Sequence, residues 1–103
     1  ACAIDLKIPE RRRSAMTELV AMINEELWVG HFDVWANDGL VMFRHALVLA
    51  GGATPSGPQC EFLLATAVDA CERYFQAFQY LLWAGKSPRE AIDTALFETR
   101  GEA

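Results

Sequence analysis

The sequence predicts an α+β fold: strand, helix, strand, strand, long helix, short helix. Three observations predict it. Apolar and polar residues alternate over residues 2–8 and 31–36. Apolar residues recur at spacings of three and four over residues 10–28 and from 56 to about 84. Asn37-Asp38-Gly39 is a tight-turn triplet between the second alternating run and the next apolar run. A period of two marks a strand face and a period near 3.6 marks a helix face. With 103 residues, the chain has room for a single domain over 1–103.

The first strand carries Ile4, Leu6 and Ile8 on one face, with Asp5 and Lys7 on the other. A strand at a chain end needs a neighbour to pair with, so sequence upstream of Ala1 is expected. Pro9 suits the first turn of a helix, where its missing N–H costs nothing. Met16, Leu19, Val20, Ile23 and Leu27 then form one apolar face over about residues 10–28, with Gly30 as the stop. Arg11, Arg12 and Arg13 sit in the first turn, the wrong end of the helix dipole for positive charge. They are candidates for contact with an acidic partner, or a solvated helix end.

His31 to Ala36 alternates as a strand, and Leu40 to Leu49 forms a second one after the turn. Two registers compete. A two-residue loop at Asp38-Gly39 sets Asp33 opposite Arg44 and Val34 opposite Phe43. A three-residue loop sets His31 opposite His45. A slip of one residue turns every side chain to the other face, so only one of them can hold. Ala46-Leu47-Val48-Leu49 is apolar on both faces, which points to a central or doubly covered strand.

Gly51 to Pro58 is the longest loop-like stretch. Ser56 and Gln59 then form a capping-box pattern for a helix running to about Ala84, stopped by Gly85. Asp69, Glu72, Arg73 and Gln76 make its polar stripe, and nearly everything else on it is apolar. Ser87-Pro88-Arg89-Glu90 opens the last helix, with Ala91, Ile92, Ala95 and Leu96 as its apolar face.

Net charge is -5, and acidic residues outnumber basic ones in both halves. Nucleic-acid binding needs a basic footprint, so it is excluded. Anionic membrane surfaces are excluded for the same reason. The richest apolar stretch is broken by Asp69, Glu72 and Arg73, so it cannot span a bilayer. Cys2, Cys60 and Cys71 are odd in number and lack CxxC spacing. Cys60 and Cys71 share a helix face but are too far apart to bond. The three are expected to be buried thiols in a reducing cytoplasm.

The long helix should be roughly 40 Å in length. A domain of this size is only about 30–35 Å across. The helix therefore outruns the body that should bury it, and 52% of the residues are hydrophobic. A two-fold homodimer is the commonest way to cover such an excess. Trp35, Phe43, Tyr74, Phe75, Phe78, Leu82 and Trp83 are the expected partner and dimer interface. Trp28 is a further core or interface anchor, and Tyr80 a candidate for a partner groove.

The runs Ile8-Pro9-Glu10-Arg11-Arg12-Arg13, Ile23-Asn24, Leu27-Trp28, Gly30-His31-Phe32-Asp33 and Met42-Phe43-Arg44-His45 resemble the YbjN family. So do Cys71-Glu72-Arg73-Tyr74 and Gly85-Lys86-Ser87-Pro88. The resemblance covers almost the whole chain. Members are described as bacterial sensory transduction regulators and usually carry a further helix and strands at the N-terminus. The resemblance implies a fold like that of type III secretion chaperones: an antiparallel sheet packed by helices, often dimeric. It supplies no catalytic residues.

One constellation offers chemistry. His31, Asp33 and His45 lie near one hairpin, and two imidazoles with a carboxylate can bind a transition metal. The competing reading is ordinary sheet residues bonded to their neighbours. No GxSxG, P-loop, HExxH or GxGxxG pattern is present. The expectation is therefore a non-enzymatic, cytoplasmic regulatory module that binds an unidentified protein. It has no cofactor, no metal and no catalytic residues. The alternative is a small metal- or ligand-binding enzyme domain built on His31, Asp33 and His45.

Overall fold

The structure is a computed structural model and describes residues 2–35, 37–46 and 50–101. Strand β1 (Cys2–Lys7) leads through a 3-10 turn (Glu10–Arg12) into helix α1 (Arg13–Glu26). Strands β2 (His31–Trp35) and β3 (Leu40–Arg44) follow, then helix α2 (Gly57–Trp83) and helix α3 (Pro88–Gly101). This is the predicted α+β order. The sheet is antiparallel throughout, in the order β1-β3-β2.

The expected alternation in β1 is present: Ile4, Leu6 and Ile8 are buried while Asp5 and Lys7 are exposed. Between the pairs Ala3–Met42 and Lys7–Leu40 the register shifts, so three residues of β1 stand against one of β3. Such a bulge bends a strand and increases its twist.

The hairpin adopts neither expected register. His31 pairs with Arg44, Phe32 with Phe43, Asp33 with Met42 and Trp35 with Leu40. The turn closes on Trp35, whose carbonyl accepts from Asp38 N at 3.2 Å and from Gly39 N at 2.8 Å. Gly39 has φ +66, the left-handed conformation that glycine adopts freely. The physical reason lies in the faces. Pairing His31 with His45 would put Phe32 opposite Arg44, and burying one would bury the other. The observed register keeps Phe32 and Phe43 together inside and Asp33 and Arg44 together outside. Strand β3 is central, as expected, but it ends at Arg44. His45 and Ala46 lie beyond it, and Leu47-Val48-Leu49 fall outside the described residues.

One core joins the inner face of the sheet to all three helices. Met16, Leu19, Val20 and Ile23 of α1 are buried, as are Ala91, Ile92 and Ala95 of α3. Phe32 is central to it. Its ring meets Phe43, Tyr74 and Phe78 edge-on, with centroids 5.3, 6.1 and 5.4 Å away. Asn24 of α1 fixes the edge strand beside it. Its amide nitrogen donates to the Phe32 carbonyl at 3.0 Å, and its oxygen accepts from Phe32 N at 2.8 Å.

Both expected capping boxes form. Ser56 Oγ accepts from Gln59 N at 3.2 Å while Ser56 N donates to Gln59 Oε1 at 2.8 Å. Ser87 and Glu90 repeat the pattern at 3.2 and 3.1 Å. The hydrogen bond from Ser87 N holds the Glu90 carboxyl below its usual range.

Candidate interaction surface

Helix α2 is buried over one half only. Ala70, Tyr74, Ala77, Phe78 and Leu81 are its buried residues. Its first three turns project past the sheet. A five-residue strand is roughly 17 Å long, whereas 27 helical residues rise roughly 40 Å. The Cα radius of gyration is 14.9 Å, against about 13 Å for a compact domain of this length. Phe62, Leu64 and Val68 on the projecting half are 57%, 68% and 42% exposed.

A cleft of about 390 Å³ lies where the projecting half leaves the sheet, lined by Cys2, Phe43, His45, Cys60, Leu63, Leu64 and Ala67. A second hollow of about 250 Å³, between His45 and the residues Pro58, Gln59, Phe62 and Leu63, continues it. These walls are apolar apart from His45 and Gln59. The arrangement suits an apolar side chain from another polypeptide better than a charged small molecule.

The expected interface residues divide. Phe43, Tyr74 and Phe78 are at most 3% exposed and form the core of this protomer, not its surface. The long helix is apolar on two sides; Tyr74 and Phe78 lie on the side that meets the sheet, and Phe43 belongs to the sheet itself. Burial pushes the Tyr74 hydroxyl above its usual range. Phe75 and Leu82 are half-buried, and Trp35 and Trp83 are exposed. Trp28, in the bend after α1, is fully exposed, so it is no core anchor. Phe62 and Leu64, outside the expected set, are exposed as well. A signal for them existed: a helix that outruns the sheet must project at one end.

The hairpin constellation does not assemble as a metal site. Asp33 Oδ2 accepts from Arg44 Nη1 at 3.0 Å and lies 3.3 Å from His31 Nε2. His45 stands past the end of β3, beside α2. Among the described residues no three histidine, cysteine, aspartate or glutamate side chains are grouped to hold a metal ion.

The arginine cluster divides as well. Arg12 Nη2 donates to the Leu81 carbonyl at 3.1 Å and to the Lys86 carbonyl at 2.9 Å. It therefore caps the C-terminus of α2 and is not available to an acidic partner. Arg11 stays exposed, and Arg13 is half-buried. Arg12→Met should lower stability by about 2 kcal/mol, because two carbonyls lose a charged donor. Arg12→Lys should recover only part of it, since an ammonium lacks the planar fork. Urea midpoints check this, and an unchanged midpoint for Arg12→Met would refute the capping role.

The thiols also depart from expectation. Cys60 is exposed, and Cys2 and Cys71 are only half-buried. No helix among the described residues is long and apolar enough to cross a membrane.

Residues 1–80 match the family described as YbjN, putative bacterial sensory transduction regulator. The chain belongs to the YbjN family. The match takes in the sheet, α1 and most of α2, including the projecting half and the cleft beside it. The YbjN description is that of a regulator and names no reaction. No curated protein and no solved structure matches the chain significantly.

Proposed function

We propose that this YbjN chain is a non-enzymatic regulatory module that acts by protein contact in the bacterial cytoplasm, as a homodimer with a chaperone-like fold. The observation that carries this reading is the projecting half of α2, with Phe62, Leu64 and Val68 exposed beside an apolar cleft. A second copy related by a two-fold axis presents the same projecting helix and the same cleft. Each copy then inserts apolar side chains into the other, which closes the assembly at two chains. The exposed Trp35 and Trp83, with the half-buried Phe75 and Leu82, form the face proposed for a client protein. Arg11 is the proposed contact for an acidic group on it. The net charge of -5 supports a protein client over nucleic acid or an anionic membrane.

Light scattering tests the dimer. The chain mass is 11.4 kDa, and twice that mass is expected at micromolar concentration. Phe62→Asp with Leu64→Asp should weaken association at least about 100-fold, because burying each side chain contributes about 1.5–3 kcal/mol. Both residues are exposed in the protomer, so the circular dichroism spectrum should not change. A wild-type particle of single-chain mass would overturn the dimer reading.

A further inference from the structure

Cys2 and Cys71 are 69 residues apart in sequence, yet their sulfurs are 3.7 Å apart. Two elements bring them together. Cys2 opens β1 and pairs with Phe43, which places it on the inner face of the sheet. Cys71 follows buried Ala70 on α2 and lies three residues before buried Tyr74, so it points back at β1. Both thiols are half-buried. A groove of about 510 Å³ between β1 and α2, whose walls include Ala3, Asp5, Cys71, Phe75 and Gln79, gives solvent access to Cys71, and the cleft lined by Cys2 and Phe43 gives access to Cys2. The third thiol, Cys60, lies eleven residues before Cys71, about 16 Å along the helix, too far to bond with it.

We propose that Cys2 and Cys71 are a reversible redox site, oxidised to an intramolecular disulfide by exchange with a low-molecular-weight disulfide of the glutathione type. The Cys2 thiolate attacks one sulfur of the small disulfide. One small thiolate leaves, and Cys2 is held in a mixed disulfide. The Cys71 thiolate then attacks the Cys2 sulfur and expels the second small thiolate. Two electrons pass from the cysteine pair to the small disulfide. The two cysteine protons end on the two small thiols released.

The order of attack follows from the surroundings. Burial, helped by the neighbouring Cys2, pushes the Cys71 thiol up to about 12. Cys71 is therefore the resolving thiol, effective because its target is held against it. The bonded sulfurs need a separation of about 2.05 Å, which side-chain rotation from the present contact can supply. The disulfide staples an edge strand to the middle of the long helix. In a reducing compartment such a bond forms transiently and reports on the thiol balance.

The test uses the full chain carrying Cys60→Ser, to remove the exposed thiol. The protein is equilibrated over a range of oxidised to reduced glutathione ratios, acid-quenched and weighed intact. The expected product is monomer-linked and about 2 Da lighter, with Cys2 and Cys71 in one cross-linked peptide. Its melting temperature should rise by roughly 10 °C, since a long loop is closed. Dithiothreitol should reverse both changes. Adding Cys71→Ser should leave a single glutathione adduct on Cys2, adding Cys2→Ser should leave the protein largely reduced, and neither should show the rise. A parent protein that stops at the glutathione adduct, or stays fully reduced at the most oxidising ratio, would overturn the proposal. So would a cross-link that leaves the melting temperature unchanged. The parent protein decides the matter even if a serine variant folds poorly.

Discussion

Phe32→Ala should cost about 3–5 kcal/mol, the range for removing a fully buried aromatic ring. Phe32 is 1% exposed and its ring touches three others edge-on. Each such pair adds about 0.5–1.5 kcal/mol beyond area burial. The rings around it belong to β3 and α2, so the cavity cannot collapse without moving both. A single domain is stable by only about 5–15 kcal/mol, so this one change removes a large share. Phe32→Leu refills part of the space and should lose less. Urea unfolding checks the order, with a lower midpoint and unchanged slope expected. A Phe32→Ala cost below about 1.5 kcal/mol would be too small for a filled core and would refute the packing described.

Gly30→Ala should cost about 3 kcal/mol or more, from two separate faults. Gly30 has φ +73, where an added Cβ costs about 1–2 kcal/mol. That Cβ would also stand 2.3 Å from the Cζ of Phe43 and 3.0 Å from the Arg44 carbonyl oxygen. The Phe43 ring is 1% exposed and packed on Phe32, so yielding to the new Cβ would cost that contact. Gly85 supplies the control. Its φ is +66, but nothing lies within 4 Å of an added Cβ. Gly85→Ala should therefore cost only the conformational part, about 1–2 kcal/mol. Equal losses for the two variants would remove the clash from the account.

The element order was legible because each segment carries its own period. The alternation of Ile4, Leu6 and Ile8, the spacing of Met16, Leu19, Val20 and Ile23, and the boxes at Ser56 and Ser87 are all local signals. The hairpin register was not legible. Asp38-Gly39 is compatible with several loop lengths, and the choice rests on Phe32 and Phe43 meeting α2 far along the chain. The bonding roles of Asn24 and Arg12 are not legible for the same reason. One bonds a strand eight residues away and the other caps a helix 69 and 74 residues away. The exposed apolar residues of the proposed interface were partly legible. Apolar spacing marks α2 as two-sided, but it does not tell which side the sheet takes. Tyr74 and Phe78 face the sheet, and Phe62 and Leu64 face outward. The closeness of Cys2 and Cys71 carries no sequence signal at all, because it depends on how β1 lies against α2.

The uneven burial of α2 has a mechanical consequence. A helix gripped at one end and free at the other is a lever. From Ala70 to Gly57 the free arm is roughly 20 Å long. A tilt of about 10° where the helix is gripped swings its tip by roughly 3–4 Å. The grip itself is made by distant parts of the chain: Arg12 on the carbonyls of Leu81 and Lys86, and the core around Phe78. Load applied at the tip is thus felt at the far end of the same rigid rod, and a small adjustment there is magnified at the tip.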